Sequence, residues 1–395
     1  MRNLLISQKF MFVAVAVSIP IIVLSYFFVA EKNQRIEFTR AELDGTQYVR
    51  SVRKLANDVA AHRDLASAVL AGDASFAPEL DKRGAAVDDD LKEIAALQSR
   101  SELASAEDLA SVRADWQNLK SKLPTDKLAQ SFEGHTRYLS KILQFTALIA
   151  NDSNLVLDSD VDSHYLVDAI IFKIPKLDAE ISAARAQGAA FYASGAQGEQ
   201  NSLRRGELAA ATVRIGDAHY ETNHSLRFAG GKQHPRTEEA IGPAVADAGK
   251  AVGSFTTMLV DRVVNGTGAL VPVKEYYGAA SAALDATGKL WDASVAELDR
   301  LLGERSAMLQ KSVELEIVIV GLAMLLTVGF LFLVARAITL PIKHLSAVAD
   351  RISLGDMDAN IEIEGRDEIG ELGERFRRMQ ISLRDAMDAL ERQDQ

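Results

Sequence analysis

Two stretches without a charged residue constrain this chain more than any other feature: Phe10 to Ala30, twenty-one residues, and Ile317 to Ala335, nineteen. At about 1.5 Å of helical rise per residue, each is long enough to cross the hydrocarbon core of a bilayer. Arg2 and Lys9 precede the first run, and Glu316 and Arg336 bracket the second. A cleaved signal peptide would have a shorter apolar core and a small-x-small cleavage site. Phe28 and Ala30 make a poor one, so the first run is expected to stay as an anchor. The chain then divides into a short tail (1–9), a first span (10–30), a large intervening segment (31–316), a second span (317–335) and a carboxyl segment (336–395).

After the second span, Ile342, Leu345, Ala349 and Ile352 are spaced by three, four and three, which is the seam of a coiled coil. The helix they predict ends at Gly355. A polar connector, GDMDANIEIEGRDE, carries Met357 and Ile361. A second seam follows at Ile369, Leu372, Phe376, Met379, Leu383, Ala386 and Leu390. Two such helices joined by an extended connector suit a parallel four-helix bundle with a second copy.

These residues resemble a HAMP domain, the relay module found just inside the membrane in bacterial chemoreceptors, histidine kinases and receptor cyclases. The resemblance covers about residues 336–390, leaving a tail at 391–395. It rests on Pro341 after the membrane exit, Gly355, Met357 and Ile361 in the connector, and the run Asp367, Glu368, Ile369, Gly370 that opens the second helix. It implies that Pro341, Gly355, Met357, Ile361, Glu368 and Gly370 serve signal relay, with coupling at Pro341 and at the Glu368 junction. It also fixes an orientation that charge leaves open, since Lys32, Arg35 and Arg40 offset Arg2 and Lys9. The tail and everything after Arg336 would be cytoplasmic, and Glu31 to Glu316 would be periplasmic, in a bacterial inner-membrane protein that acts as a homodimer.

The fold class expected is all-α. In 31–316 alanine is abundant, β-branched alternation is scarce and helix breakers are widely spaced. The pattern predicts helices at about Glu31 to Leu70, Pro78 to Gln98, Glu107 to Leu119, Thr125 to Ile149, Ser163 to Tyr192, Glu199 to Phe228, Thr237 to Val264 and Val273 to Glu316. The first and last continue the spans, so the outer segment should form one helical bundle, or two stacked. There is no cysteine, which excludes disulfides, thiolate metal sites and a cysteine nucleophile. The net charge is −11, and the outer segment is itself mildly acidic, which argues against nucleic acid as a partner.

One outer stretch differs from its surroundings: Asn151 to Ile174, NDSNLVLDSDVDSHYLVDAIIFKI. It is similar, in part, to a segment of some proteobacterial chemoreceptor ectodomains, with Ser159 and His164 departing from that pattern. Asp158, Asp160 and Asp162 alternate as in a calcium loop, but Ser163 and Ala169 stand where the required glycine and bidentate glutamate would be, so no metal is expected. Two readings stay open. The aspartates cap and charge the next helix, or Asn154, Asp158, Asp160 and Tyr165 line a pocket in which carboxylates meet the amine of a small-molecule ligand. Recognition through a periplasmic binding protein is a further route.

Arg185, Arg204, Arg205 and Arg214 could grip an oxyanion, although their spacing suits a solvated face better. His219 and His224 are five apart and cannot share a metal on one helix face. His62 falls on a helix seam and reads as a packed interhelical polar residue. No nucleophile, base and orienter set marks an active site, so neither enzymatic activity nor a cofactor is expected. The expected function is transmembrane signalling, most directly in chemotaxis. The alternatives are the sensory half of a histidine kinase or cyclase, and a membrane scaffold that binds no ligand. After Leu390 only Glu391 to Gln395 remain, so the output is expected from a separate cytoplasmic protein or from sequence beyond this chain.

Overall fold

The structure, a computed structural model, describes residues 4–70, 72–100, 103–158, 160–193, 199–266, 271–363 and 365–393. Ser159 lies outside them. Among the described residues there are ten α-helices and no strand. They are α1 (Ile6–Leu70), α2 (Ala77–Gln98), α3 (Ala106–Lys122), α4 (Leu128–Asp152), α5 (Val161–Asp168), α6 (Ile174–Ala193), α7 (Glu199–Ala229), α8 (Pro235–Met258), α9 (Val273–Ser353) and α10 (Glu368–Gln393). The uncharged runs lie in α1 and α9, both long and apolar enough to cross a membrane. Along them Phe27, Leu325 and Phe330 are more than 60% exposed, an apolar surface that suits lipid rather than water.

The chain forms two compact units. One comprises Gln34–Leu309, and the other Met1–Asn33 with Gln310–Gln395. The first has two apolar cores. Val52, Leu55 and Val59 of α1 pack with Val87 and Ile94 of α2, Trp116 of α3, Ile142 and Phe145 of α4, and Trp291, Val295 and Leu298 of α9. A second core joins Leu177, Ile181 and Phe191 of α6, Leu208 and Ile215 of α7, Phe255 of α8, and Tyr276 and Ala280 of α9. Helix α9 therefore lines both cores, the first through Trp291, Val295, Leu298 and Leu302, spaced by four, three and four.

Local chemistry sets the helix ends. Ser105 accepts the Asp108 amide at 3.1 Å and caps α3. Gly45 lets α1 approach the end of α4 closely, since a side chain there would lie 2.2 Å from Ser153 Oγ. The helix expected from Ser163 to Tyr192 is interrupted by a π-turn, Ala169–Lys173, and a second π-turn, Leu259–Val264, follows α8. In the first turn the Ile170 carbonyl accepts the Trp291 indole N–H at 3.0 Å, so a tertiary donor supports the departure from helical bonding.

In the other unit Lys32 Nζ meets Glu316 Oε2 at 2.8 Å and Ser312 Oγ at 2.6 Å, joining the ends of the two spans. Helix α9 passes through Pro341 and stops at Ser353. Gly355, at φ 98°, closes it: its amide bonds the Ile352 carbonyl at 3.0 Å, and the Asp356 amide reaches the Arg351 carbonyl at 3.1 Å.

Candidate functional site

The acidic stretch singled out in the sequence folds onto a cation from the far end of the outer segment. Asn154 leaves α4 in the left-handed region at φ 64°, which turns the chain into the loop that carries Asp158. The Asp158 side chain is fully buried, and one of its oxygens accepts the Asp160 amide at 3.0 Å ahead of α5. Arg305 of α9 reaches this loop. Its Nη2 lies 3.0 and 3.2 Å from the two Asp158 oxygens, 2.6 Å from Asp160 Oδ2 and 2.9 Å from Ser163 Oγ. Its Nη1 lies 3.3 Å from Glu42 Oε2 on α1. Three carboxylates from three elements thus share one guanidinium.

The three are not equivalent. Asp160 is 58% exposed, whereas Glu42 and Asp158 are fully buried. Glu42 Oε1 has no hydrogen-bond partner. Burial, reinforced by the Asp158 charge and opposed by Arg305, pushes Glu42 up to about 8. Tyr165 stands apart from the acids and stacks on Phe228 with ring centroids 5.1 Å apart. The fold therefore brings Asp158 and Asp160 together and places Tyr165 in an aromatic group with His164, His224 and Phe228.

A second polar cluster lies between α1 and α6. Arg185 pairs with Asp64, donates to Ser281 Oγ at 3.1 Å and lies 4.8 Å from the centre of the Tyr277 ring. Arg63 donates to Ser182 Oγ at 2.5 Å, approaches Asp64 at 3.5 Å and stacks on Phe132. Arg185 is thus mostly covered rather than on a solvated face, while Arg214 pairs with Glu180 at the surface. His62 meets His135 at 2.8 Å inside the first core, as its seam position suggested. His219 bonds Asn223, and His224 stacks on Tyr220 and meets Phe228 edge-on.

In the carboxyl segment the connector packs back onto the first helix. Ile361 and Ala359 are buried with Leu345, Val348 and Ile352, and Met357, Ile363 and Phe376 cover them. Gln380 of α10 donates to the carbonyls of Met357 and Ala359, at 2.9 and 2.7 Å. Asp367 caps α10 by accepting the Gly370 amide at 3.0 Å, while its neighbour Glu368 is exposed in the first turn. Gly370 is held to glycine by contact, since a side chain there would lie 2.0 Å from the Gly365 carbonyl oxygen.

Sequence reasoning missed Glu42 and Arg305. Both are ordinary charged residues on long helices, and nothing in their spacing marks them. The one available signal was Asp158 itself, which needs a cation once it is buried.

The HAMP domain family matches residues 333–385, the segment that follows the second membrane-length run. The methyl-accepting chemotaxis protein McpA of Bacillus subtilis is 35% identical over 82 residues, 21% of this chain and 12% of that protein. A putative sensory transducer protein of Acetivibrio thermocellus is 36% identical over 76 residues, 19% of this chain and 14% of its own length. TlpA of Bacillus subtilis, also a methyl-accepting chemotaxis protein, is 44% identical over 54 residues, 14% of this chain and 8% of that protein. The chain thus carries a HAMP domain and spans less than a sixth of the length of these relatives. Among solved structures, the NasR transcription antiterminator superposes with a TM-score of 0.52 over 91% of this chain and 94% of that one. At 14% identity, that likeness is one of fold.

Proposed function

We propose that this chain is the sensory and relay part of a bacterial signal-transducing receptor of the chemotaxis type. Residues 10–30 and 317–335 anchor it in the inner membrane, 31–316 face the periplasm, and the HAMP helices lie in the cytoplasm. A stimulus alters the outer helices, and a small displacement of the second span biases the HAMP helices between two packings, passing the signal to a cytoplasmic output protein. The observation that carries this reading is α9 itself: one helix includes Tyr276 of an outer core, the uncharged run, and Ile352 of the HAMP core. A small molecule or a periplasmic binding protein would supply the stimulus, with Asn154, Asp158 and Asp160 before α5 and Tyr165 within it as the residues that would feel it.

The relay is homodimeric in this reading. Leu372, Met379, Leu383 and Met387 of α10 are each 40% exposed or more in a single chain, an apolar seam that a second copy would cover. With cysteine introduced as Met379→Cys, the full chain in membranes should cross-link to a second copy on mild oxidation, and Leu383→Asp should abolish this. A hybrid of residues 1–390 with the cytoplasmic part of a chemotaxis protein should place the partner kinase under control, with Gly355 or Glu368 substitutions locking its output. Absence of the cross-link would sink the dimeric relay, and a hybrid whose output never responds to those substitutions would sink the HAMP assignment of the signal path.

A further inference from the structure

We propose that the cluster of Glu42, Asp158, Asp160 and Arg305 is a proton-binding site through which the outer unit takes pH as a stimulus. One proton on Glu42 holds α1, the loop after α4, and α9 together, and its loss loosens them. The stimulus role rests on the relay reading above; the proton binding does not.

Three carboxylates surround one guanidinium, so with all three ionised the cluster has two excess negative charges. Arg305 spends its closest contacts on Asp158, Asp160 and Ser163 and leaves Glu42 the longest one, at 3.3 Å. Glu42 Oε1 is fully buried without a hydrogen-bond partner, and beside Arg305 the Thr39 hydroxyl is the one further group that favours the ionised form, so a protonated carboxyl is tolerated better than a charged one. The charged groups facing Glu42 are Asp158 from the loop, Asp160 at the start of α5 and Arg305 from α9. Two of these are carboxylates, and with burial they favour the proton strongly enough to bring its loss to about 8, within reach of ordinary alkaline conditions.

Position gives the proton leverage. Glu42 and Arg305 lie on α1 and α9, the two helices that also contain the membrane-length runs, and the loop is tied to both through Arg305. When Glu42 ionises, the added negative charge repels Asp158 and Asp160 on the other side of the same guanidinium, so the contact between α1 and the loop weakens.

The test uses the full chain in lipid nanodiscs, with melting temperature followed from mildly acidic to alkaline pH. The wild type should lose melting temperature as pH rises from the ordinary carboxylate range to about 8, and level off above it. Glu42→Gln, which mimics the protonated state, should remove that loss. Asp160→Asn, which deletes a half-exposed neighbouring charge, should move the midpoint to lower pH. If Glu42→Gln fails to fold, the Asp160→Asn midpoint decides alone. A Glu42→Gln profile that follows the wild type, or an Asp160→Asn midpoint that stays in place, overturns the proton site. Spin labels at Ser346→Cys and Ser382→Cys report the HAMP helices in the same samples. Their separation should change between the two pH extremes in an otherwise wild-type chain and stay constant with Glu42→Gln. A melting transition that tracks Glu42 beside an unchanged label separation would leave proton binding standing and overturn its role as a stimulus.

Discussion

The Tyr276 hydroxyl donates to the Ala184 carbonyl at 2.6 Å, and its ring fills the space that a side chain at Gly188 would need, with Cζ and Oη both 2.2 Å from the position of a Cβ. The pair locks α9 to α6 in the second core, where burial raises the phenol's pKa and keeps the hydroxyl a neutral donor.

Gly188→Ala should therefore cost about 1–3 kcal/mol, since the buried ring has nowhere to go. Tyr276→Phe should cost about 1 kcal/mol by removing one hydrogen bond. Because the two residues touch, the glycine substitution should cost much less in a Tyr276→Leu background. Urea titrations of the four variants measure this, and full additivity would mean that the ring does not meet residue 188.

The histidine pair gives a prediction in pH. His135 Nδ1 lies 2.7 Å from the Ser131 carbonyl, so it carries the proton, its Nε2 accepts, and His62 Nδ1 donates at 2.8 Å. Burial, with the neighbouring ring, pushes His62 down to about 3, and burial pushes His135 down to about 4. Both are neutral when folded and take up protons more readily when unfolded. Their contribution is thus complete above the ordinary imidazole range and is lost as pH falls through it toward about 4. The melting temperature should fall on that acidic limb, and replacing both histidines by leucine should make the limb shallower. An unchanged slope would mean that the pair is already charged or exposed.

Arg305 should be the most costly charged residue of its helix to remove. Arg305→Ala leaves the Asp158 carboxylate buried without a cation and strips protonated Glu42 of its partner, a loss of about 3 kcal/mol at neutral pH. The loss should shrink in acid, where the carboxylates are protonated. By contrast Arg236→Ala, which breaks an exposed pair with Glu304, should cost next to nothing. Thermal melts at two pH values separate the two, and equal costs would show that the cluster around Arg305 is solvated.

Much of this architecture was legible in the sequence because it is periodic. Val52, Leu55 and Val59, and likewise Trp291, Val295, Leu298 and Leu302, recur at three and four in the sequence, and both sets are buried in the first core as that spacing dictates. The uncharged runs were equally plain. The π-turn at Ala169 was not, because it depends on Trp291, which is 121 residues from the carbonyl it satisfies. Nor was the partner of Asp158, since Arg305 is 147 residues away and looks like any surface arginine of a long helix. Patterns encode which face is buried, whereas a cross-chain ion cluster depends on rotation and register that no local window contains. The pairing of buried Arg63 and mostly covered Arg185 with Asp64 escaped for the same reason.

Two glycines of the HAMP segment should behave differently on substitution. Gly355 needs its left-handed backbone but has open space around it, with nothing within 4 Å of an added Cβ, so Gly355→Ala should cost about 1 kcal/mol from backbone strain alone. Gly355→Asn, which tolerates the left-handed region, should recover most of that. Gly370 has an ordinary backbone but no space: the Gly365 carbonyl lies against it, and backbone cannot turn aside as a flexible side chain does. Gly370→Ala should force the connector away from the start of α10 and break the Asp367 cap, and asparagine should be no better than alanine. Hydrogen exchange of the connector amides in the full chain distinguishes the two. Gly370→Ala should speed exchange around Ile361 and Ile363, while Gly355→Ala should act mainly at the end of α9. If Gly370→Ala leaves the connector as protected as in the wild type, the close backbone approach of Gly365 is not what holds the two HAMP helices in register.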